Sequence, residues 1–239
     1  MRQLVKLFLF LPLFIFANES MGSDKIKSLN KKEQTIIPIS AFTANGDLEK
    51  LKLALDDGLN AGLSINEINE IIVHLYAYAG FPRSLNSLGV FMELINERKE
   101  IGIKDELGKE ASKLPDNFDK DDYGSKVRAK LAGREKDFSN TPWQNFSPAI
   151  DTFLKEHLFA DIFARDLLDY KTRELITISA LAAINGTTGQ LKFHIPASMN
   201  MGLTKGQLED FILILNTKVG RNEAKTANDI LQEVLKTRK

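Results

Sequence analysis

The chain contains 239 residues, of which 43% are hydrophobic and 27% are charged, so its composition is that of a globular protein. Basic and acidic residues both number 32, and the resulting zero net charge gives no general attraction to nucleic acid. The absence of cysteine from the sequence excludes disulfides, thiolate metal sites and thiol-based redox chemistry.

The N-terminus has the pattern of a secretory signal peptide. Arg2 and Lys6 precede an apolar run over residues 7–17, which is too short for a bilayer core that needs about 20 residues. We therefore expect residues 1–17 to be removed and the protein to be exported, periplasmic or secreted, without stable membrane insertion afterwards. An uncleaved membrane anchor is the alternative interpretation.

Residues 33–95 follow as a first helical repeat. The segment 64–67, Ser-Ile-Asn-Glu, is a capping box, in which two side chains accept hydrogen bonds from the exposed N–H groups of a helix start. Apolar residues then recur at the spacing of one buried helical face, namely Ile68, Ile71, Ile72 and Leu75. Gly80 suits the left-handed position that ends a helix.

Residues 96–145 form a charged connection. Prolines and glycines interrupt it, so we expect a surface segment with short helices. Trp143 and Phe146 are the side chains that we expect to anchor its end to a core.

Residues 146–239 form a second helical repeat. Helices are predicted over residues 149–168, over 172–184, where the sequence is apolar nearly all round, and over 191–201, where Pro196 is able to bend the helix. A second capping box over 204–207, Thr-Lys-Gly-Gln, starts another helix that can end at Gly220.

The two repeats are related by a constant offset in the numbering. Aligned without a gap, residues 33–88 and 173–228 are identical at eleven of 56 positions, and their capping boxes and terminal glycines coincide. Nowhere is there a sustained alternation of apolar and polar residues, so strands are not expected. The sequence predicts an all-α fold built from two related helical repeats.

Three segments of the second repeat resemble the carboxymuconolactone decarboxylase family, which is related to the AhpD-like alkylhydroperoxidases. They are Arg173-Glu-Leu-Ile-Thr-Ile-Ser-Ala-Leu-Ala-Ala, Gln190-Leu-Lys-Phe-His-Ile and Asn200-Met-Gly-Leu-Thr. The first repeat is similar through Asn60-Ala-Gly-Leu-Ser and Tyr78-Ala-Gly-Phe-Pro. The resemblance implies an AhpD-like helical fold, self-association into trimers or hexamers, and sites between helices near subunit contacts.

The same resemblance separates two branches of chemistry. The peroxidase branch uses a CxxC pair before a histidine together with an upstream glutamate. Glu174 and His194 match the last two, but Thr187 and Gln190 occupy the cysteine positions. Neither side chain forms a thiolate or a disulfide, so peroxidase activity of that type is excluded. The decarboxylase branch, which does without cysteines, fits the sequence better.

His194 and Glu174 are the candidate catalytic residues. His194 lies on an apolar helical stripe, so it is either a hydrogen-bonded core residue or a general acid–base. Glu174 is placed by the pattern in the first turn of its helix, where it either interacts with the helix N-terminus or orients His194. The corresponding residues of the first repeat are Gln34 and Ala54, so we expect this chemistry in the second repeat alone.

Gln190, Arg173 and Arg165 are the candidate substrate-binding residues. Gln190 lies one helical turn before His194 and is able to donate to a substrate oxygen. Both arginines are suited to bidentate binding of a carboxylate, or else form surface ion pairs. His74 falls between the buried positions Ile71 and Leu75, which favours core packing.

The motifs support neither a metal nor a cofactor. The three histidines form no HxxxH or HExxH pair, and no GxGxxG or GxxxxGK[ST] loop occurs in the sequence. The resemblance to the carboxymuconolactone decarboxylase family implies one hypothesis, a cofactor-independent carboxy-lyase that decarboxylates or transfers a proton on a small carboxylated lactone or oxo-acid. The alternative is a non-catalytic, exported helical oligomer that binds a small molecule.

Overall fold

The computed structural model describes residues 28–238, and the signal peptide predicted over residues 1–17 lies outside them. Within the described residues the chain forms eleven α-helices, two π-helical segments and no strand, which confirms the all-α fold. None of these helices combines the length and the apolar character that crossing a membrane requires.

The helices fall into three groups along the chain. The first repeat contains α1 (Lys31–Asn45), α2 (Leu48–Asn60), α3 (Ile65–Ala79) and α4 (Phe81–Glu100). The connection and the segment after it contain α5 (Lys120–Leu131), α6 (Pro142–Phe146), α7 (Pro148–Thr152) and a first π-helical segment (Phe153–Ile162). The second repeat contains α8 (Tyr170–Ala183), α9 (Thr188–Asn200), α10 (Lys205–Ile214), a second π-helical segment (Leu215–Val219) and α11 (Arg221–Thr237).

The offset that aligns residues 33–88 with 173–228 is preserved in the helix boundaries. Under that alignment the bounds of α2 coincide with those of α9, and the bounds of α3 coincide with those of α10 and the second π-helical segment together. Both predicted capping boxes form, with Ser64 and Glu67 at α3 and with Thr204 and Gln207 at α10. The chain is therefore a tandem repeat in structure as well as in sequence.

The last turns of the two capped helices differ. Gly80 has a φ of 82° and its N–H donates to the carbonyl of Tyr76, four residues back. Gly220 is extended, with a φ of −179°, and its N–H donates to the carbonyl of Leu215, five residues back. The left-handed conformation predicted at Gly220 is wrong, because the wider π-helical turn brings the chain round without it.

The two repeats share one core. α1 and α8 pack against each other at its centre, and each is buried along most of its length. α3 of the first repeat also packs on α8, and α10 of the second packs on α1. One continuous apolar cluster includes residues from both repeats, so neither repeat encloses a core by itself.

The connection contributes a second, smaller apolar cluster. α5 packs on the first π-helical segment, so closely that a Cβ at Gly124 would overlap the carbonyl of Lys155. Their apolar side chains also contact Tyr78 of α3 and Phe193 of α9. This helix pair, which we call the cover, therefore lies over the contact between the two repeats.

The predicted anchoring of the connection by Trp143 and Phe146 is wrong. Both side chains are exposed, Phe146 to 91%. Between them, Gln144 is buried and donates to Asp151, which also accepts from Arg128 at 2.5 Å. Polar contacts anchor this part of the chain, and the inward direction of Gln144 turns its apolar neighbours outward.

Candidate functional site

The two predicted catalytic residues form a buried hydrogen-bonded pair. Nδ1 of His194, on α9, lies 2.9 Å from Oε2 of Glu174, on α8. Glu174 is fully buried and His194 is 6% exposed. Because a carboxylate only accepts, Nδ1 is the donor, and in the neutral ring Nε2 carries the lone pair. The pair is therefore arranged to hold or deliver a proton at Nε2 of His194.

The position of Glu174 in its helix differs from the prediction. Asp169 accepts from the N–H of Thr172 and so starts α8 at Tyr170, two residues earlier than expected. Glu174 is then the fifth helical residue and lies beyond the first turn. Its burial against His194, rather than interaction with the helix N-terminus, accounts for a carboxylate at this position.

The two arginines converge on Glu70 of α3. Nη2 of Arg173 lies 2.7 Å from Oε1 of Glu70, and Nη2 of Arg165 lies 2.8 Å from its Oε2. Arg173 is fully buried and also donates to the carbonyl of Arg165, whereas the Arg165 side chain is 39% exposed. Burial lowers the pKa of Arg173, and the hydrogen bonds to Glu70 raise the pKa of Arg165. One carboxylate thus binds two cations across the two repeats.

His74 extends this ion cluster along α8 through two hydrogen bonds. Its Nδ1 lies 3.2 Å from Nη1 of Arg173 and its Nε2 lies 2.9 Å from the hydroxyl of Thr177. The arginine only donates, so Nδ1 accepts and Nε2–H donates to Thr177, whose own proton goes to the carbonyl of Arg173. Burial, the charge of Arg173 and that of His194 hold the pKa of His74 well below its usual range. His74 is a neutral, fully engaged core residue.

Tyr78 lies between the two histidines. Its ring centroid is 5.3 Å from that of His74 and 5.9 Å from that of His194, with the second pair edge to face. Burial and the neighbouring Glu174 raise the pKa of its hydroxyl far above the usual range. A row of rings from the first repeat therefore reaches the catalytic pair of the second.

The predicted substrate-binding residues are not gathered in one place. Gln190 is exposed in the first turn of α9, and Arg173 is enclosed behind Glu70. Arg165 lies in the wall of a cavity of about 480 Å³ between α5, residues 163–171 and the end of α9. His194 and Glu174 are not among the residues that line this cavity.

Sequence reasoning missed Glu70 and Thr177. It favoured core packing for His74, which is fully buried, but it did not identify the hydrogen-bond partners of that side chain. Glu70 and His74 are four residues apart in a helix that is otherwise mostly apolar, a spacing that places both on one face. A charged residue inside an apolar helical stripe is a sign of a buried ion pair. Its partner, Arg173, stands in the helix that is apolar nearly all round.

No group of three or more histidine, aspartate or glutamate side chains in residues 28–238 is arranged to hold a metal ion.

Comparisons with known proteins agree with the tandem architecture. The sequence model of the carboxymuconolactone decarboxylase family matches two regions, residues 15–93 and 148–233. The chain is also similar to a 4-carboxymuconolactone decarboxylase from Acinetobacter baylyi, with 28% identity over 114 residues. That similarity covers 47% of this chain and 84% of the relative.

Proposed function

The chain belongs to the carboxymuconolactone decarboxylase family, and from this premise we propose that it is a cofactor-independent carboxy-lyase acting on a small carboxylated lactone or oxo-acid. The observation that carries the proposal is the buried hydrogen bond between Glu174 and His194, 2.9 Å long. A carboxylate that fixes the tautomer of an imidazole is the arrangement required of a general acid–base. The similarity to a 4-carboxymuconolactone decarboxylase supports the choice of substrate class.

The proposed reaction breaks the bond between a ring carbon and its carboxylate, which leaves as CO₂. The electron pair of that bond is delocalised into the adjacent unsaturated carbonyl system as an enolate. Glu174 stabilises the positive charge of protonated His194. Nε2 of this imidazolium then delivers one proton to the carbon framework. The burial of the pair strengthens that electrostatic stabilisation, because little water competes for it.

Arg165 is the proposed partner of the carboxylate that the product retains. Its side chain has solvent access, and a guanidinium binds a carboxylate in a bidentate manner. Arg173 contributes indirectly to the binding of this carboxylate. It shares the single charge of Glu70 with Arg165, so the two arginines together keep an excess positive charge. Gln190 is a further proposed hydrogen-bond donor at the exposed start of α9.

The test is the release of CO₂ from 4-carboxymuconolactone by the purified protein and by two variants. We expect His194→Ala to lower turnover by at least about tenfold, because a general acid–base typically contributes about 10²–10⁴-fold to the rate, while circular dichroism shows an intact fold. His157→Ala is the matched control, since His157 is exposed and binds Asp161 outside the pair. Equal turnover in His194→Ala and in the unmodified protein would refute the assignment.

A second candidate is a non-catalytic binding protein. The observation that favours it is that Arg173 is fully enclosed and already neutralised by Glu70, so it is closed to a substrate carboxylate. In that case a ligand should bind with the same affinity to the unmodified protein and to His194→Ala, and no CO₂ should appear.

Export and self-association are also proposals. The basic start and short apolar run of residues 1–17 support export. Large apolar side chains exposed on α4, namely Phe81, Leu85 and Met92, support assembly into a trimer or hexamer. Mass measurement of the exported chain and light scattering of the purified protein test the two proposals separately.

A further inference from the structure

We propose that the hydroxyl of Tyr78 and the second carboxylate oxygen of Glu174 form a ligand-binding pair beside His194, so that residues of both repeats complete the site. The ligand class is a small unsaturated carboxylic acid or its enol. Tyr78 donates a hydrogen bond to a ligand oxygen, and Oε1 of Glu174 accepts one from a ligand hydroxyl. The inference rests on the proposed function and extends it, because it assigns a binding role at the same site.

Two enclosed polar atoms carry the inference. The Tyr78 hydroxyl and Oε1 of Glu174 are both buried, and neither forms a hydrogen bond of ordinary geometry within residues 28–238. Buried polar atoms are nearly always satisfied in folded proteins, and leaving one unsatisfied is costly. Oε1 of Glu174 therefore needs a partner that the described residues do not supply, and the Tyr78 hydroxyl has only the nearby hydroxyl of Thr177, outside ordinary hydrogen-bond geometry.

The two atoms belong to one place in the fold. Glu174 binds His194 through its other oxygen, and the Tyr78 ring lies edge to face with His194 at 5.9 Å. The negative charge of Glu174 also acts on the Tyr78 hydroxyl, which lies close to Thr177. His194 thus contacts both residues, the ring of Tyr78 from α3 and the carboxylate of Glu174 from α8. Its hydrogen bond to Glu174 uses Nδ1 and leaves Nε2 for the ligand.

Protonation keeps Tyr78 a donor throughout the working range of an imidazole. Burial, reinforced by Glu174, raises the pKa of the phenol, so the hydroxyl retains its proton near neutral pH. A donor that never ionises is suited to an oxygen that becomes more negative when CO₂ leaves.

Tyr76 supplies a matched control on the same helix. Its ring stacks on that of Phe81 at 4.6 Å and lies 5.6 Å from that of His157, and neither of these residues belongs to the Glu174–His194 pair. Replacing either tyrosine by phenylalanine removes one oxygen and keeps the ring. Tyr78→Phe and Tyr76→Phe therefore differ in the position of the lost hydroxyl and not in its chemistry.

The experiment compares kcat/KM for CO₂ release from 4-carboxymuconolactone. We expect Tyr78→Phe to lose about tenfold or more, as removal of a buried hydrogen bond to a charged ligand group does, and Tyr76→Phe to stay within about twofold of the unmodified protein. Unchanged ¹⁵N shifts of His194 in Tyr78→Phe establish that the catalytic pair is undisturbed. If kcat/KM of Tyr78→Phe equals that of the unmodified protein, the inference is wrong.

A second readout separates this inference from the proposed reaction. The sequence has four tyrosines, so ¹³Cζ labelling gives four resonances, and that of Tyr78 is identified by its loss in Tyr78→Phe. Titration with cis,cis-muconate, an unsaturated dicarboxylate, should shift the Tyr78 resonance and leave that of Tyr76 in place. If the protein releases no CO₂, a shift of the Tyr78 resonance still supports the ligand-binding pair, although the proposed reaction is then wrong. A Tyr78 resonance that does not move overturns the ligand-binding pair.

Discussion

The chain contains the same helical contact twice, with different chemistry. In the contact that carries Glu174 and His194, α3 of the first repeat packs on α8 beside α9. In its counterpart, which lacks this pair and which we call the silent contact, α10 of the second repeat packs on α1 beside α2. The alignment of the two repeats matches five polar residues of the first contact with their counterparts in the second. These pairs are Arg173 and Glu33, Glu174 and Gln34, His194 and Ala54, His74 and Ile214, and Tyr78 and Lys218.

One acidic position survives in both contacts. Glu70 on α3 binds Arg165 and Arg173, which flank the start of α8, and Asp210 at the same position of α10 accepts from the backbone N–H groups of Ser28 and Leu29, just before α1. In each case an acid holds the segment that leads into the central helix of the other repeat. An acid at this position is therefore present in both contacts, whereas the pair of Glu174 and His194 is present in one.

Replacing the two acids by their amides gives the largest expected difference between the contacts. Glu70→Gln leaves the charge of the fully buried Arg173 uncompensated, and we expect it to lower the free energy of unfolding by about 3–5 kcal/mol. Asp210→Asn keeps an oxygen that accepts from the backbone N–H groups of Ser28 and Leu29, and we expect it to cost less than Glu70→Gln. Urea unfolding measures both, and equal losses would contradict the asymmetry.

The pH dependence of stability offers a smaller effect. His74 is held neutral in the folded protein, so below the ordinary histidine pKa of about 6.5 the unfolded chain takes up a proton that the folded one refuses. Stability should therefore fall with falling pH in that window, by up to about 1.4 kcal/mol per pH unit, until the lowered pKa of His74 is reached.

Unfolding curves between pH 7 and pH 4 test this effect in two variants. His74→Gln should flatten the fall, because the buried titrating group is gone. His157→Gln, at an exposed position, should retain it. If the fall in stability disappears in His157→Gln and persists in His74→Gln, His74 is not its source.

The smallest effect is expected from moving the catalytic pair into the silent contact. In a His194→Ala background, Gln34→Glu with Ala54→His recreates the two residue types in the first repeat, but Lys218 still stands where Tyr78 would be. We expect no recovery of CO₂ release, and a loss of about 1–3 kcal/mol of stability from overfilling the site of the buried Ala54. Recovered turnover would show that the acid–base pair suffices without the tyrosine.

Helix positions and the repeat follow from local patterns, and they could be predicted. Both capping boxes and the apolar spacing behind them depend on residues three or four apart, so the helices α3 and α10 are encoded within short segments. The pairing of Glu174 with His194 follows from the family resemblance, which links two residues on different helices.

The polar cluster across the repeats could not be predicted in the same way. Glu70 and Arg173 are far apart in the chain, and the sequence does not state that α3 packs on α8 rather than on its own repeat. The directions of Trp143 and Phe146 depend likewise on the contacts of Gln144 with a distant arginine and aspartate. Side-chain direction in a long connection is set by tertiary partners, not by composition.

The shared core fixes a ratio as well as a shape. Because the two repeats are covalently linked, they occur in equal numbers. Every second repeat, which carries Glu174 and His194, is therefore accompanied by a first repeat that lacks this pair. Because α1 and α3 of the first half complete the surroundings of α8, that half keeps its packing residues although Gln34 and Ala54 stand where the second half has Glu174 and His194. The two halves of one polypeptide thus have different roles: the second carries the proposed acid–base pair, and the first packs around it.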